Sequence, residues 1–179
     1  ATVIESMGGY RQWYAAKVFY NKVNPIVNSL MNKGVETYIP TFMEETYGPD
    51  GLKYVRKPLI NSLLFICSSS EGIRKIGKEF SEELRIYGDG PTFQPTAIPD
   101  KEMEIFRIVT SAQDKGLKYL GADLPEYHTG QRVRVTDGVF KGAEGHIKRI
   151  FNDRRLIVTV EGIAAVATSF IHPSFLEKI

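Results

Sequence analysis

Gly130-Gln131-Arg132-Val133-Arg134-Val135-Thr136-Asp137-Gly138-Val139-Phe140-Lys141-Gly142-Ala143-Glu144-Gly145-His146-Ile147 decides the fold of the last part of the chain. Val133 and Val135 alternate with arginines, the period-two pattern of a strand with one face toward a core. Asp137-Gly138 has the chemistry of a hairpin turn. Gly138 and Gly142 permit positive φ in tight turns, and Gly145 removes a side chain where backbones approach. Phe140 is placed to fill the interior. A generic glycine-rich hairpin does not account for four glycines and three apolar residues held in one register. Downstream, residues 145–151, 156–160 and 163–168 read as further strands, joined by Asn152-Asp153-Arg154-Arg155 and Glu161-Gly162, with no helical period. Short strands at this spacing predict a small SH3-like β-barrel, which closes its edges without needing a large core.

Upstream, residues 113–129 carry Gly116, Gly121 and Pro125 among scattered polar residues and read as a linker. The expected linear division is a domain over 10–112, the linker 113–129 and the barrel 130–179, both domains being of a size that folds alone. In the first of them strand and helix signals alternate. Residues 13–20 are aromatic and β-branched, a strand. Val23, Ile26, Val27, Leu30 and Met31 form one apolar helical stripe, with Asn21 or Asn24 as cap, Pro25 in the first turn and Gly34 as the stop. Residues 35–43 read as a second strand constrained by Pro40 near its end. Residues 44–57 centre on Gly48-Pro49-Asp50-Gly51, the tip of a hairpin. Residues 59–67 are a third, central strand. Residues 71–80 are a helix with Ile73, Ile76 and Phe80 on one side, and 84–87 a fourth strand followed by an irregular return over 88–98. Asp100 caps a last helix with the stripe Ile105, Ile108, Val109, Ala112. The order is that of a ferredoxin-like βαββαβ domain, so the fold class expected is α+β, a ferredoxin-like domain followed by a small SH3-like barrel.

The 179 residues are 42% hydrophobic and 25% charged, ordinary for a globular protein. No apolar stretch is long enough to cross a bilayer. The first ten residues lack the cationic end and apolar core of a secretory signal, and the chain opens on Ala1, as a processed or trimmed end does. Its one cysteine, Cys67, allows neither an intramolecular disulfide nor a cysteine-based metal site. That fits a cytoplasmic protein, and the apolar run around Cys67 predicts a buried structural thiol. The net charge of +2 is too small to predict nucleic-acid binding. The excess lies past Gly130, which permits a polyanionic partner without requiring one.

Nothing announces catalysis. His128, His146 and His172 are not spaced as a metal pair, and no carboxylate stands with them at ligand spacing. No glycine-rich loop carries the Lys-Ser or Lys-Thr of a phosphate site, and no Ser, His and Asp set is evident. Arg85 and Asn61 are the residue types used by small ferredoxin-like phosphatases, but nothing joins them. The expectation is a binding protein, with no catalytic residues, no metal and no cofactor.

The 130–147 stretch resembles a KOW motif, with Gly130, Val133, Val135, Gly138, Phe140, Gly142 and Gly145 at its positions. A KOW barrel alone leaves ribosomal proteins as candidates. Trp13-Tyr14 opening the first strand, Pro40 ending the second, and Arg56-Lys57-Pro58-Leu59-Ile60-Asn61-Ser62-Leu63-Leu64-Phe65-Ile66 resemble the NusG N-terminal domain. Together the two resemblances cover nearly the whole chain. The long 44–57 tip is similar to that of UpxY-type antiterminators, which like RfaH act on chosen operons. The resemblance implies a transcription elongation or antitermination factor that binds the clamp helices of the largest subunit of RNA polymerase and bridges the DNA cleft.

Carried over residue by residue, the polymerase patch comprises Tyr14, Phe42, Pro58, Ile60, Leu63 and Phe65. Core burial is the competing reading of each. It stays open for Phe42 and Phe65, while Ile60 and Leu63 favour the interface; accessible apolar side chains there support a polymerase contact, and full burial weighs against one. This chain has Ile60-Asn61-Ser62-Leu63 where the family usually shows Phe-Pro-Gly-Tyr, so aliphatic residues replace aromatic anchors. Lys17, Lys22, Lys53, Arg56 and Lys57, with Tyr20 and Tyr54 for stacking, are candidate contacts to non-template DNA, against the alternative of an ordinary solvated surface. Lys148, Arg149, Arg154 and Arg155 form a second basic set, facing nascent RNA or the ribosome. Housekeeping relatives carry an exposed aromatic that meets Rho or a small-subunit ribosomal protein where this chain has Glu161-Gly162. The second functional reading is a translation-associated protein that binds RNA or the ribosome through its barrel. The Val, Ile and Thr content of the tail predicts a stable barrel in the free protein.

Overall fold

A computed structural model describes residues 10–89 and 94–179. Residues 1–9, read above as no secretory signal, and 90–93, inside the expected 88–98 return, lie outside the described residues. By contact the chain forms two compact units. One runs to Pro40 and resumes from Ile60 to Asp100; the other joins Thr41–Leu59 to Lys101–Ile179. This division differs from the linear cut at 112, because an inserted hairpin and the helix after Asp100 group with the barrel.

In the first unit, β1 (Gln12–Val18) ends where Tyr20 and Asn21 turn left-handed, at φ 60° and 56°. Helix α1 (Val23–Asn32) buries Val23, Ile26 and Leu30 and leaves Met31 exposed on its flank. Neither asparagine caps it: Asn21 is spent in the turn, Asn24 lies inside the helix, and the N-cap position is Lys22, without a side-chain bond. Gly34 stops it at φ 74°, its N–H donating to Met31 O. The expected 35–43 strand is cut short at β2 (Glu36–Tyr38), since Pro40 supplies no ladder N–H. Strand β5 (Leu63–Ser68) begins later than expected, after a turn in which Leu63 N–H reaches Ile60 O. Helix α2 (Ser70–Glu79) is capped by Ser69, whose Oγ accepts the Gly72 N–H at 2.9 Å. Strand β6 (Leu84–Ile86) completes a sheet of order β2-β5-β1-β6, antiparallel at every pairing. That is the ferredoxin-like order. Within the 88–98 return, β7 (Gly88–Asp89) pairs with β8 (Gln94–Pro95). The helix-side core combines Tyr14, Ala16, Val18, Leu64, Ile66 and Leu84 of the sheet with Ile26, Leu30, Ile73 and Ile76 of the helices. Cys67 is half-buried rather than enclosed.

In the second unit, β3 (Thr41–Gly48) and β4 (Gly51–Pro58) form an isolated hairpin around the Gly48–Gly51 turn, with Gly51 at φ 100°. Helix α3 (Asp100–Ser111) buries Met103, Phe106, Val109 and Thr110. The expected stripe was rotated: Ile105, Ile108 and Ala112 are only half-buried. Two overlapping apolar stripes run along this helix, and the one holding Met103 and Phe106 is the one that is buried. Thr110 enters the core because its Oγ1 donates to Phe106 O at 2.8 Å. The expected linker contains β9 (Lys118–Gly121) and a short 3-10 turn, Pro125–His128. Then follow β10 (Gln131–Val135), β11 (Glu144–Ile150), β12 (Asp153–Val160), β13 (Ala164–Phe170) and β14 (Leu176–Lys178), in the order β14-β10-β11-β12-β13-β9. Leu156 to Val158 and Ala164 to Thr168 are buried without alternation, so both faces of β12 and β13 are covered there. Among the described residues no helix is long and apolar enough to cross a membrane.

Candidate polymerase and nucleic-acid interfaces

Alternation along β1 and β5 sorts the expected polymerase patch. Tyr14 points with Leu64 and Ile66 into the helix-side core, where it is 3% exposed and burial pushes its phenol pKa up. Leu63 and Phe65 alternate with Leu64 and Ile66, so they occupy the opposite face of the sheet. The structure therefore does not bring Tyr14 together with Leu63 and Phe65. Leu63 and Phe65 are themselves closed off, at 3% and 0% exposure, and Phe65 packs near Tyr38 with ring centroids 6.4 Å apart. Ile60 and Phe42 are half-buried and Pro58 is exposed. The patch residues fall in both compact units, Phe42 and Pro58 on the hairpin and the other four in the ferredoxin-like sheet or just before it.

The five expected DNA-contacting cations are likewise divided between the two units. Lys17 and Lys22 flank the left-handed turn after β1, where Tyr20 stands 80% exposed and Lys17 Nζ lies 5.8 Å from the Phe19 ring. Lys53, Arg56 and Lys57 are on β4, and strand alternation puts Lys53 and Lys57 on one face and Arg56 on the other. Arg56 bonds the Thr41 hydroxyl across the hairpin. Tyr54 shares the Arg56 face, and Lys115 Nζ sits over its ring at 4.0 Å, a cation–π contact that already occupies this ring.

The 130–147 stretch supplies the scaffold of the barrel. Val133, Val135 and Phe140 are buried, and Gly130, Gly138 and Gly142 have φ of 98°, 84° and 94°. A Cβ on Gly145 would lie within 3.0 Å of Ile157 O, closer than real Cβ atoms come. Glu144 beside it accepts from Lys101 at 2.9 Å, Arg132 at 3.3 Å and Arg134 at 3.5 Å. The Lys101 hydrogen bond, chiefly, holds its carboxyl below the usual range against the cost of burial. His146, which follows Gly145, is pushed down in pKa by burial and then by the neighbouring His128, Arg132 and Lys148. Among the described residues no group of three or more His, Cys, Asp or Glu could hold a metal ion.

The family model described as "Transcription termination factor nusG" matches residues 11–107, more than half of the 179-residue chain. The chain belongs to the NusG family. No curated protein matches it. A solved structure described as "Domain interaction in Thermotoga maritima NusG" is similar at 18% identity and a TM-score of 0.48, over 95% of this chain and 98% of that one.

In this NusG-family chain the Glu161-Gly162 turn is occupied from within. The Glu161 N–H donates to Glu102 of α3, and the Gly162 N–H donates to Asp123 Oδ2 at 3.0 Å. Asp123 also meets His128 Nε2 at 2.8 Å. Burial raises the Glu102 pKa, its bond from Glu161 N–H opposing this. The second basic set likewise resolves into two kinds of residue. Lys148 donates to Glu126 O and Thr129 Oγ1. Arg155 donates to the carbonyls of Ile150, Gly116 and Thr168 at 3.0, 3.0 and 3.1 Å. Both are structural ties. Arg149 and Arg154 are exposed. The sequence reading overlooked Phe170, which ends β13 at 48% exposure. Its one sequence signal was an aromatic continuing the period-two pattern past Thr168.

Proposed function

We propose that this chain binds RNA polymerase at the clamp helices of its largest subunit and modulates pausing or termination, on particular operons in the manner of UpxY- and RfaH-type factors. Membership of the NusG family makes it a transcription elongation or antitermination factor in the broad sense. The observation that supports the finer reading is the family match over 11–107, the stretch that holds every residue assigned above to polymerase and non-template DNA. The accessible members, Phe42, Pro58 and Ile60, make the contact, and the burial of Leu63 and Phe65 weighs against their taking part. Tyr20, between Lys17 and Lys22, is more exposed than Tyr54 and is the better presented of the two candidate stacking surfaces for a DNA base. The protein works in the cytoplasm as an adaptor, without catalytic residues or cofactor.

The test is retention of core RNA polymerase by the full chain. Ile60→Asp, at a half-buried position, lowers retention by tenfold or more if Ile60 is an anchor. Met31→Asp, at an exposed site on α1, leaves retention unchanged. Absence of retention by the unmodified chain, or equal losses in the two variants, overturns the proposal.

A further inference from the structure

The β11–β12 ladder sets Lys148 directly opposite Arg155 and Arg149 directly opposite Arg154. Like charges facing each other across an antiparallel pair are destabilising. The first pair is relieved, since both side chains reach oxygen acceptors. The second pair, on the other face of the ladder, is not. Neither guanidinium enters an ion pair or side-chain hydrogen bond among the described residues, and the Asp153 carboxylate is turned to the Arg154 main-chain N–H at 3.0 Å. Both guanidinium groups are exposed and open to an anion from outside the chain.

Arg154 also borders a cavity of about 310 Å³ in the same unit, walled by Val133, Ile147, Phe170, Ile171 and Leu176, with Gln131 in the wall and Lys178 at the rim. Among the described residues no acidic side chain lines it. A cavity with apolar walls, one amide, an exposed aromatic edge and a cationic mouth suits a ligand that is flat and apolar at one end and anionic at the other. We propose that this end of the barrel binds single-stranded RNA, one base entering the cavity against Phe170 and the flanking phosphates meeting Arg149, Arg154 and Lys178. An acidic peptide would satisfy the guanidinium pair but leave the apolar cavity unfilled. The inference rests on the polymerase reading only for the source of the strand, the nascent transcript. It narrows the basic set to two residues and adds a base pocket.

The test is fluorescence anisotropy of the full chain with a labelled oligoadenylate RNA of about 12 nucleotides, within the range a small β-barrel covers. An Arg149→Gln, Arg154→Gln double variant weakens binding about tenfold or more and lowers the slope of log K against log salt by about 1.4, for two lost phosphate contacts. Phe170→Ala weakens binding about tenfold with the slope unchanged. Lys141→Gln, an exposed cation elsewhere on the barrel, leaves binding intact. The double variant melts no lower than the unmodified chain, because it removes a repulsion, which rules out misfolding as the cause. No RNA binding by the unmodified chain at low salt, equal losses for Lys141→Gln, or full displacement of RNA by a polyglutamate peptide of equal charge each overturn the inference. Polymerase retention is read on the same preparations. RNA binding lost with retention intact refutes the RNA site alone; retention lost with RNA binding intact refutes the polymerase reading alone.

Discussion

Replacing Gly145 by alanine adds one methyl group at the point where β11 passes closest to β12. The new Cβ would stand within 3.0 Å of Ile157 O, and at 3.2 Å from both Ile157 C and Leu156 Cδ1, where 3.4 Å begins ordinary contact. The obstructing oxygen is backbone, so no rotamer change relieves it; the strands must part by about 1 Å, which takes adjacent ladder bonds out of range. Two such bonds at about 1 kcal/mol each, added to about 1–3 kcal/mol for overpacking, give a cost of roughly 3–5 kcal/mol. Gly162 is the control. It has φ 74° with nothing within 4 Å of a built Cβ, so alanine there costs only the left-handed strain, about 1–2 kcal/mol. The one tryptophan, Trp13, lies in β1, outside the strands of the barrel. Native-state hydrogen exchange of the β11 and β12 amides does. If Gly145→Ala lowers protection there no more than Gly162→Ala, the close approach of the two strands is not what the glycine serves.

Arg155→Gln strands three carbonyls and lowers barrel stability by about 2 kcal/mol, while Arg154→Gln, one residue away and exposed, changes it by less than about 0.5 kcal/mol; urea unfolding followed by circular dichroism separates them. Glu144 has a folded pKa below its ordinary value of 4.5. Its ion-paired carboxylate therefore contributes stability above about pH 4.5, and that contribution is lost as pH falls through the lower folded value. Glu144→Gln is less stable than the unmodified chain at neutral pH, by about 1–3 kcal/mol, and the difference shrinks in acid; an unfolding series from pH 7 to about pH 3 checks both statements.

The parts of the fold legible in the sequence were those where one short-range rule acts alone. The Val23, Ile26, Leu30 stripe needs only helical geometry, and the Gly48–Gly51 and Gly138 turns need only backbone freedom. Val133 and Val135 need only the alternation of a strand. The expected errors arose where two local rules competed. Helix α3 carries two apolar stripes, and the one holding Met103 and Phe106 is the one that is buried. Asn21 was as good a cap as any by residue type, but its backbone was taken by the turn that ends β1. The stretch 113–129 looked like a linker because β9 is short, and its pairing with β13 is invisible to any window of sequence.

The same divide runs through the candidate sites. Residue type and spacing selected Tyr14, Leu63 and Phe65 together, but a strand's two faces belong to different environments, and only the pairing of β1 with β5 shows that Tyr14 lies on the other side. Four clustered cations looked alike in sequence. Which of them are spent depends on the carbonyls of Gly116 and Thr168, 39 and 13 residues from Arg155. Local chemistry by itself determined the turns and most of the helices and strands, and the motifs carried the resemblance to the family. Tertiary pairing decided which charges remain unanswered and which apolar side chains a partner can reach, because those depend on residues far apart in the chain.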